Sequence, residues 1–518
     1  MNRPIRKVSI FLGVLFLGLF INLNVVQVVK GHSYRDDPQN RRVLLNEYSS
    51  ARGQIVVQGR AVVQSRSTSD ELKYLREYSN GPMYAPATGF YSFIYNTSGI
   101  EAAENSILSG DSSDLFTTKL GNILTGRNPR GGSVDLTLNR VAQTAAYNAM
   151  KSGNGRFKRG AVVALDPKTG AILALVSTPS YDPNKLSSHN STSIQKAWKA
   201  YLDDKSEPML NRALNQNYPA GSIFKIIDTA AALKKGVKPT DRIPAPNAYW
   251  PLQPERTTAC PGSLSAPCVE NFEGEACQNG KTATLAFALA KSCNTAFAAL
   301  AVQRIKAQAI KDQAQAFGFD SPQLNVPLPV APSTVGSDTV LNDDAALAQT
   351  SFGQRDVRIT PLQAAMLAAA VANDGLLYEP YLVDKELRPN LSVLNQTQPK
   401  QLSQVLNPDL DQQLIAMMEG VVTSPEGTGG PANITDLGPS VKVGGKTGTA
   451  DVGQTSASHL APDAWFTGFA LVKGEPRIAV AVVMENAGVS GNEATGGLAA
   501  GPVAKAVMEA YLKSTGVN

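Results

Sequence analysis

A serine and a lysine three residues apart, Ser222 and Lys225, stand in the run YPAGSIFKIIDTAAALKK. On a helix that spacing puts both side chains on one face, about one turn from each other. Ser222 opens the run, where backbone N–H groups and the helix dipole favour a developing negative charge. Lys225 lies among Ile223, Phe224, Ile226 and Ile227. Burial by those neighbours would lower its pKa and let it act as a base toward the serine. A lone S-x-x-K carries little, because a helix-capping serine followed by a solvated lysine is a common pattern.

Two further triplets change that weight. Ser292-Cys293-Asn294 falls between the helical runs LAFALA and TAFAALAVQRI, and a break between helices would present both polar side chains together on a loop. Taken alone it reads as a helix cap. Lys446-Thr447-Gly448-Thr449 follows the alternating SVKVG, which predicts a strand. There Gly448 would let a ligand backbone approach the strand edge, while the lysine and threonine groups would donate to a carboxylate. Gly445-Lys446-Thr447 also matches the end of a phosphate-binding loop, but the first glycine of that motif should stand where Ser440 is, and a strand rather than a helix follows.

The elements that must bring these residues together are legible around them. RGAVVALDPKTGAILALVS reads as a hairpin turning at Pro167–Gly170, and AWFTGFALV, the turn KGEPR and IAVAVVME read as another. SVDLTLNRVAQTAAYNAM predicts a strand leading into an amphipathic helix, and GPVAKAVMEAYLKS a closing helix. In TPLQAAMLAAAVANDG, Thr360 is placed to cap, Pro361 stands at the first helical position and Gly375 lies just past the end. That helix is apolar all round and too short to cross a membrane, so it belongs in a core. Strands at both ends of a long segment with helices between them imply an α+β architecture whose sheet closes when the chain returns.

The serine–lysine, Ser-x-Asn and Lys-Thr-Gly motifs occur here in the order found in β-lactamases and penicillin-binding proteins. From about Ser133 to Asn518 the chain resembles a penicillin-binding transpeptidase throughout, in YPAGSIFK, SCN, SFGQ, ITPLQAAMLAAAVANDG, GGKTGTA, AWFTGFA and GPVAK. It is similar to the monofunctional class B, in its actinobacterial type. The resemblance implies a penicillin-binding or serine β-lactamase-like fold, with an antiparallel sheet flanked by an all-helical part. It also implies roles. Ser222 would attack the carbonyl of the penultimate D-Ala of a stem peptide, and Lys225 would take its proton. Backbone N–H groups of Ser222 and Thr449 would form the oxyanion hole. Ser292, hydrogen-bonded toward Lys446, would pass a proton to the departing D-Ala, while Asn294 would hold the substrate amide. Lys446, Thr447 and Thr449, with Gly448 between them, would bind the terminal carboxylate. Peptidoglycan stem peptides and β-lactams are the implied ligands, a polytopic glycan polymerase and divisome or elongation proteins the implied partners, and no cofactor or metal is required.

Other outputs of the same serine chemistry are an anchored β-lactam sensor, a D,D-carboxypeptidase and a β-lactamase. Cys293 stands where β-lactamases often have Asp. The deacylating Glu and Asn of class A β-lactamases find a match in spacing at Glu386 and Asn390, but Pro389 between them disfavours the short helix they need. The stretch from Lys30 to Gly132 is too short for a glycosyltransferase domain. A noncatalytic cell-wall scaffold is the alternative of a different class.

Arg3, Arg6 and Lys7 precede an apolar run, Val8 to Val29, long enough to span a bilayer. This predicts a cytoplasmic tail over 1–7, an uncleaved anchor over 8–29 with its N-terminus inside, a small noncatalytic α+β pedestal over 30–132, and an extracytoplasmic transpeptidase domain over 133–518. In the pedestal, ARGQIVVQGRAVVQS predicts a hairpin at Gly59 and GIEAAENSIL a helix from about Gly99. The four cysteines lie within one exported stretch, where disulfides persist. Of three pairings, local closure favours Cys260 with Cys268 and Cys277 with Cys293, and the absence of a C-x-x-C disfavours a zinc site. His32, His189 and His459 show no metal spacing and read as surface residues. The net charge is +5, with 43% hydrophobic and 18% charged residues. That is a globular composition without the long basic patch a nucleic-acid partner needs.

Overall fold

The computed structural model describes residues 3–29, 48–115, 130–152, 159–256, 258–261, 267–321, 324, 326–337, 341–450, 461–487 and 495–517. Arg3–Asn24 forms helix α1, extended by a π-helical turn to Val29. From Pro4 to Gln27 its mean hydropathy is 2.2 and none of it is buried, so by length and composition it can cross a membrane.

Strands β1 (Ile55–Val57), β2 (Arg60–Ser67) and β3 (Tyr74–Tyr78) follow. Gln58 and Gly59, both at positive φ, make the two-residue turn between β1 and β2 that the sequence places there. A helix does begin at Gly99, and it is short, ending at Ala103. Then come β4 (Ser133–Leu136) and α2 (Arg140–Ser152), followed by the hairpin of β5 (Gly160–Leu165) and β6 (Ile172–Thr178). The part expected to be all-helical contains α3 (Lys225–Lys234), α4 (Leu285–Lys291), α5 (Asn294–Leu300) and α6 (Pro361–Ala372), and also two short strand pairs, Arg242–Pro244 with Thr282–Thr284 and Ala248–Tyr249 with Val269–Glu270. Strands β7 (Val383–Leu387) and β8 (Val393–Gln396) precede α7 (Pro408–Thr423). The chain returns through β9 (Val441–Ala450), β10 (Asp463–Val472) and β11 (Glu475–Met484), and ends in α8 (Gly501–Ser514).

Two sheets organise these elements. The five-stranded antiparallel sheet runs β9-β10-β11-β5-β6, so the final hairpin inserts beside the first and the sheet closes only when the chain returns. The turn of that final hairpin is Lys473-Gly474 alone. Glu475 and Pro476 already pair with β10, because Pro476 sits at a register irregularity near the strand end where its missing N–H is tolerated. Alternate residues of β5 face opposite cores. Val162 and Ala164 pack toward α2 and α8, whereas Ala161, Val163 and Leu165 join the core that holds α6. Every residue of α6 is buried, Thr360 caps it by accepting from the Gln363 N–H, and Gly375 has φ 76° just beyond its end.

The six-stranded sheet, β8-β7-β4-β1-β2-β3, takes strands from both sides of position 132 and again from beyond α6. Its apolar face is not separate either: Ile55, Val57, Ile100 and Val134 belong to the same core as Ile223 and Phe224. Within its first part Glu101 is wholly buried between Arg52 and Arg76, each 2.6 Å away, with the Tyr78 hydroxyl at 3.1 Å.

Candidate active site

Ser222 sits on a tight 3-10 turn, Gly221–Phe224, that continues directly into α3. The turn is held close to β9. Gly221 has φ 54°, and a Cβ there would meet the Thr449 carbonyl oxygen at 2.8 Å. Its N–H donates to the Gly353 carbonyl at 2.9 Å, so the SFGQ segment supports the turn from the other side. Gly448 also has a packing role. A Cβ on Gly448 would meet Trp465 Cβ at 3.0 Å, Ile223 Cγ2 at 3.2 Å and the Ala220 carbonyl at 3.4 Å. The glycine thus clears room for the protein's own serine-bearing turn.

Ser292 and Asn294 occupy the break between α4 and α5. Ser292 is at φ 65°, a conformation a serine rarely adopts, and this rotation ends α4 and turns its side chain inward. Cys293 is bonded to Cys277, which fastens the loop, and Cys260 is bonded to Cys268. Asn271 Oδ1 accepts from the Thr295 N–H at 3.1 Å, a second tie on the start of α5. Lys446 and Thr447 lie on β9, the edge strand of the five-stranded sheet.

The polar groups of Ser222, Lys225, Ser292, Asn294 and Lys446 converge. Lys225 Nζ lies 3.0 Å from Ser222 Oγ, 2.7 Å from the Ser292 carbonyl oxygen, 3.2 Å from Ser292 Oγ and 2.7 Å from Asn294 Oδ1. The carbonyl and amide oxygens can only accept, so they take two N–H groups. A neutral amine then keeps its lone pair for the Ser222 hydroxyl to donate into. Burial lowers the Lys225 pKa well below the lysine range, the nearby Lys446 lowers it further, and Asp228 opposes both. Lys446 Nζ donates to Ser292 Oγ at 2.8 Å and to its neighbour's carbonyl at 3.0 Å, and burial brings its pKa down to about 7. The hydroxyl of Ser292 thus connects the two amines, and both lysine side chains are fully buried. Asn294 is more occupied than the sequence implied, since its Nδ2 also donates to the Glu270 carbonyl at 3.3 Å.

These groups open into a cleft of about 220 Å³, lined by Ser222, Ser292, Asn294, Thr447 and Thr449 among others. Sequence reasoning missed Thr428, whose hydroxyl lies 2.6 Å from that of Thr447 and lines the same cleft. It comes from the irregular segment after α7, which has no short motif to betray it. Phe352 and Gln354 of SFGQ line the cleft as well. Glu386 lies elsewhere, on β7 and hydrogen-bonded by Asn395 at 2.6 Å. His189 is not a simple surface residue. Its Nδ1 lies 2.6 Å from Asp70 and its Nε2 3.1 Å from the Tyr74 carbonyl, which links the segment before the helix at Ser191 to β3. His32 and His459 lie outside the described residues, among which no cluster of metal-ligating side chains occurs.

A closing α+β fold with a cleft serine against a buried lysine, a Ser-x-Asn loop and a Lys-Thr-Gly edge strand defines a serine acyl-transfer class. Residues 160–509 match the penicillin-binding protein transpeptidase domain, and the chain belongs to that family, in its class B branch. Residues 52–134 match the penicillin-binding protein A dimerisation domain. Over 514 residues the chain is 42% identical to the peptidoglycan D,D-transpeptidase PbpA of Mycolicibacterium smegmatis, covering 99% of both chains. Identity to the Mycobacterium tuberculosis PbpA is also 42%, over 513 residues and 99% of each. The solved penicillin-binding protein A of M. tuberculosis, as a ceftriaxone acyl-enzyme, superposes with a TM-score of 0.82 at 42% identity over 90% of this chain and all of that one. A D,D-transpeptidase domain from Eggerthella lenta matches with a TM-score of 0.72 at 28% identity, over 90% of this chain and all of that one.

Proposed function

We infer that this chain is a peptidoglycan D,D-transpeptidase that cross-links stem peptides through an acyl-enzyme on Ser222 and is acylated there by β-lactams. The observation that carries this reading is the contact of Ser222 Oγ with Lys225 Nζ at 3.0 Å, in surroundings whose burial lowers the amine's pKa well below the lysine range. Lys225 takes the hydroxyl proton as Ser222 attacks the penultimate D-Ala carbonyl. The N–H groups of Ser222 and Thr449 receive the developing oxyanion. Ser292, between the two lysines, returns a proton to the departing D-Ala amine. Lys446 in its charged form, with Thr447 and Thr449, binds the terminal carboxylate, Gly448 lets the serine turn pack there, and Asn294 orients the substrate amide while holding Lys225. An amine of a second strand then takes the acyl group.

Residues 8–29 anchor the chain in the membrane. The positive residues Arg3, Arg6 and Lys7 favour a cytoplasmic tail over 1–7 and place the rest outside. Residues 30–132 act as a noncatalytic pedestal beneath the transpeptidase domain at 133–518, and the protein partners are a polytopic glycan polymerase with division or elongation proteins. Exposure of the full-length protein to a fluorescent penicillin tests the central claim. A covalent adduct is expected on the wild type and none on Ser222→Ala. An adduct that survives that substitution, or its absence from the wild type, removes the reading.

A further inference from the structure

One buried carboxyl beside the catalytic lysine has no explanation in the reaction as derived so far. Asp228 is fully buried on α3, three residues after Lys225, and neither of its carboxyl oxygens has a hydrogen-bond partner among the described residues. Side chains three apart on a helix share a face, so Asp228 stands one turn after Lys225 on the same side of α3. An unpartnered buried carboxyl is costly, and native proteins hold few of them. We propose that Asp228 is a positioning residue for catalysis. Its carboxylate is the counter-charge that steadies the ammonium Lys225 becomes when it takes the Ser222 proton, and so sets how strong a base Lys225 is. This rests on the transpeptidase reading above.

Of the charges on the elements packed around α3, only Lys446 acts on this pair. The 3-10 turn before it and α5 carry no ionisable side chain. On α4, Lys291 is held by Glu275 at 2.7 Å. Arg304, on the π-helical turn Ala301–Ile305, is exposed. Lys311 and Asp312 lie on the helix Ala307–Ala316, and Asp312 acts on Lys234 at the far end of α3. On α7, Asp409 is exposed, Glu419 pairs with Lys442 at 3.5 Å, and Asp411 is influenced by Asp374. Lys446 acts on Lys225 from β9. Asp228 is thus the acidic group that offsets Lys446 at the base; burial pushes its own carboxyl well above the usual carboxylate range, Lys225 opposes that rise, and a charge on either group favours a charge on the other.

Asp411 supplies an internal control, because it too is a fully buried aspartate with both oxygens unpartnered, yet it sits on α7 and outside the cleft lining. The test follows acylation of full-length protein in detergent by a fluorescent penicillin across pH, for the wild type, Asp228→Asn and Asp411→Asn. The acylation rate rises with pH as Lys225 loses its proton. Removing an adjacent negative charge lowers the lysine pKa, so the rising limb of Asp228→Asn should move to lower pH by about one unit and its plateau should fall several-fold. The limb of Asp411→Asn should stay in place. Asp228→Ser, smaller and equally uncharged, repeats the test if the amide variant does not fold. A folded Asp228 variant that labels at Ser222 with an unmoved limb overturns the proposal, as does an equal shift in Asp411→Asn. Absence of labelling in the wild type would instead indict the transpeptidase reading.

Discussion

Lys225 and Lys446 meet at a single hydroxyl: Ser292 Oγ lies 3.2 Å from the Nζ of the first and 2.8 Å from that of the second. Two buried amines this close cannot both stay charged cheaply; once Lys225 has taken the Ser222 proton, its third N–H can donate to Ser292 Oγ, and that hydroxyl can pass a proton onward. Ser292→Ala removes that bridge but leaves Lys225 its contacts with Ser222, Asn294 and the backbone carbonyl at position 292. Acylation by penicillin should slow by about a hundredfold or more, with Tm changed by no more than a few degrees. Wild-type acylation in this variant would remove Ser292 from the proton path.

The Cys277–Cys293 bond closes a loop of 16 residues onto the motif that carries Ser292 and Asn294. Loops of that size contribute about 3 kcal/mol through the unfolded chain. Replacing both cysteines by serine should therefore lower Tm, and it should also slow acylation, because a loop with Ser292 at positive φ loses one of its ties. The Cys260–Cys268 pair closes 8 residues and does not flank a catalytic residue. Its double serine variant should lower Tm less and acylate at close to the wild-type rate. Equal loss of acylation in both double variants would show that the effect is one of general stability.

Much of this site was legible because its motifs coincide with element boundaries. Ser222 begins a helix, Ser292 breaks two helices and Lys446 lies on an alternating strand, so local pattern placed each one correctly. The buried state of Lys225 followed from its isoleucine and phenylalanine neighbours. Thr428 was not legible, since its place beside Thr447 depends on where α7 ends against β9. Nor was the reach of the six-stranded sheet, because β7 and β8 are short, half-polar strands lying far along the chain from β1. The packing role of Gly448 was not legible for a related cause: the space its side chain would take is filled by the protein's own Trp465, Ile223 and Ala220.

Gly448→Ala tests that packing. The added methyl would press on Ile223 and on the Ala220 carbonyl, both adjoining the Ser222 turn, and on Trp465, which is fully buried. Overpacking of this kind costs about 1–3 kcal/mol. The larger effect should fall on acylation, as the serine turn shifts away from Lys225. A variant that loses stability yet acylates at the wild-type rate would show that the turn does not depend on the glycine.

Stability should carry a signature of Asp411. Burial, with the neighbouring Asp374 carboxylate adding to it, raises its pKa to about 8. The folded protein holds a proton there that the unfolded chain releases above about pH 3.9. The stability this proton provides is complete below that pH and is lost as pH rises toward 8. The wild-type Tm should therefore fall more steeply than that of Asp411→Asn between about pH 4 and pH 8. Parallel Tm profiles would place the carboxylate in a wetter setting than its burial implies.

Glu101 gives the sharpest test of how the pedestal and the catalytic domain depend on each other. Its carboxylate neutralises Arg52 and Arg76 in a site from which water is excluded, and Arg76 also donates to the Gly53 carbonyl at 2.6 Å. Glu101→Gln keeps the shape but leaves two buried guanidinium groups short of a counter-charge, a change that costs about 3–5 kcal/mol. If the pedestal were an independent unit, that loss would stay within it and penicillin labelling would melt at an unchanged temperature. The continuous core joining Ile55 and Val134 to Ile223 and Phe224 argues otherwise. Labelling of Ser222 at low temperature should remain, because no catalytic group touches Glu101, while the temperature at which labelling is lost should drop together with the unfolding of the pedestal. Two separate transitions, with labelling following only the upper one, would show that the two parts fold independently despite their shared core.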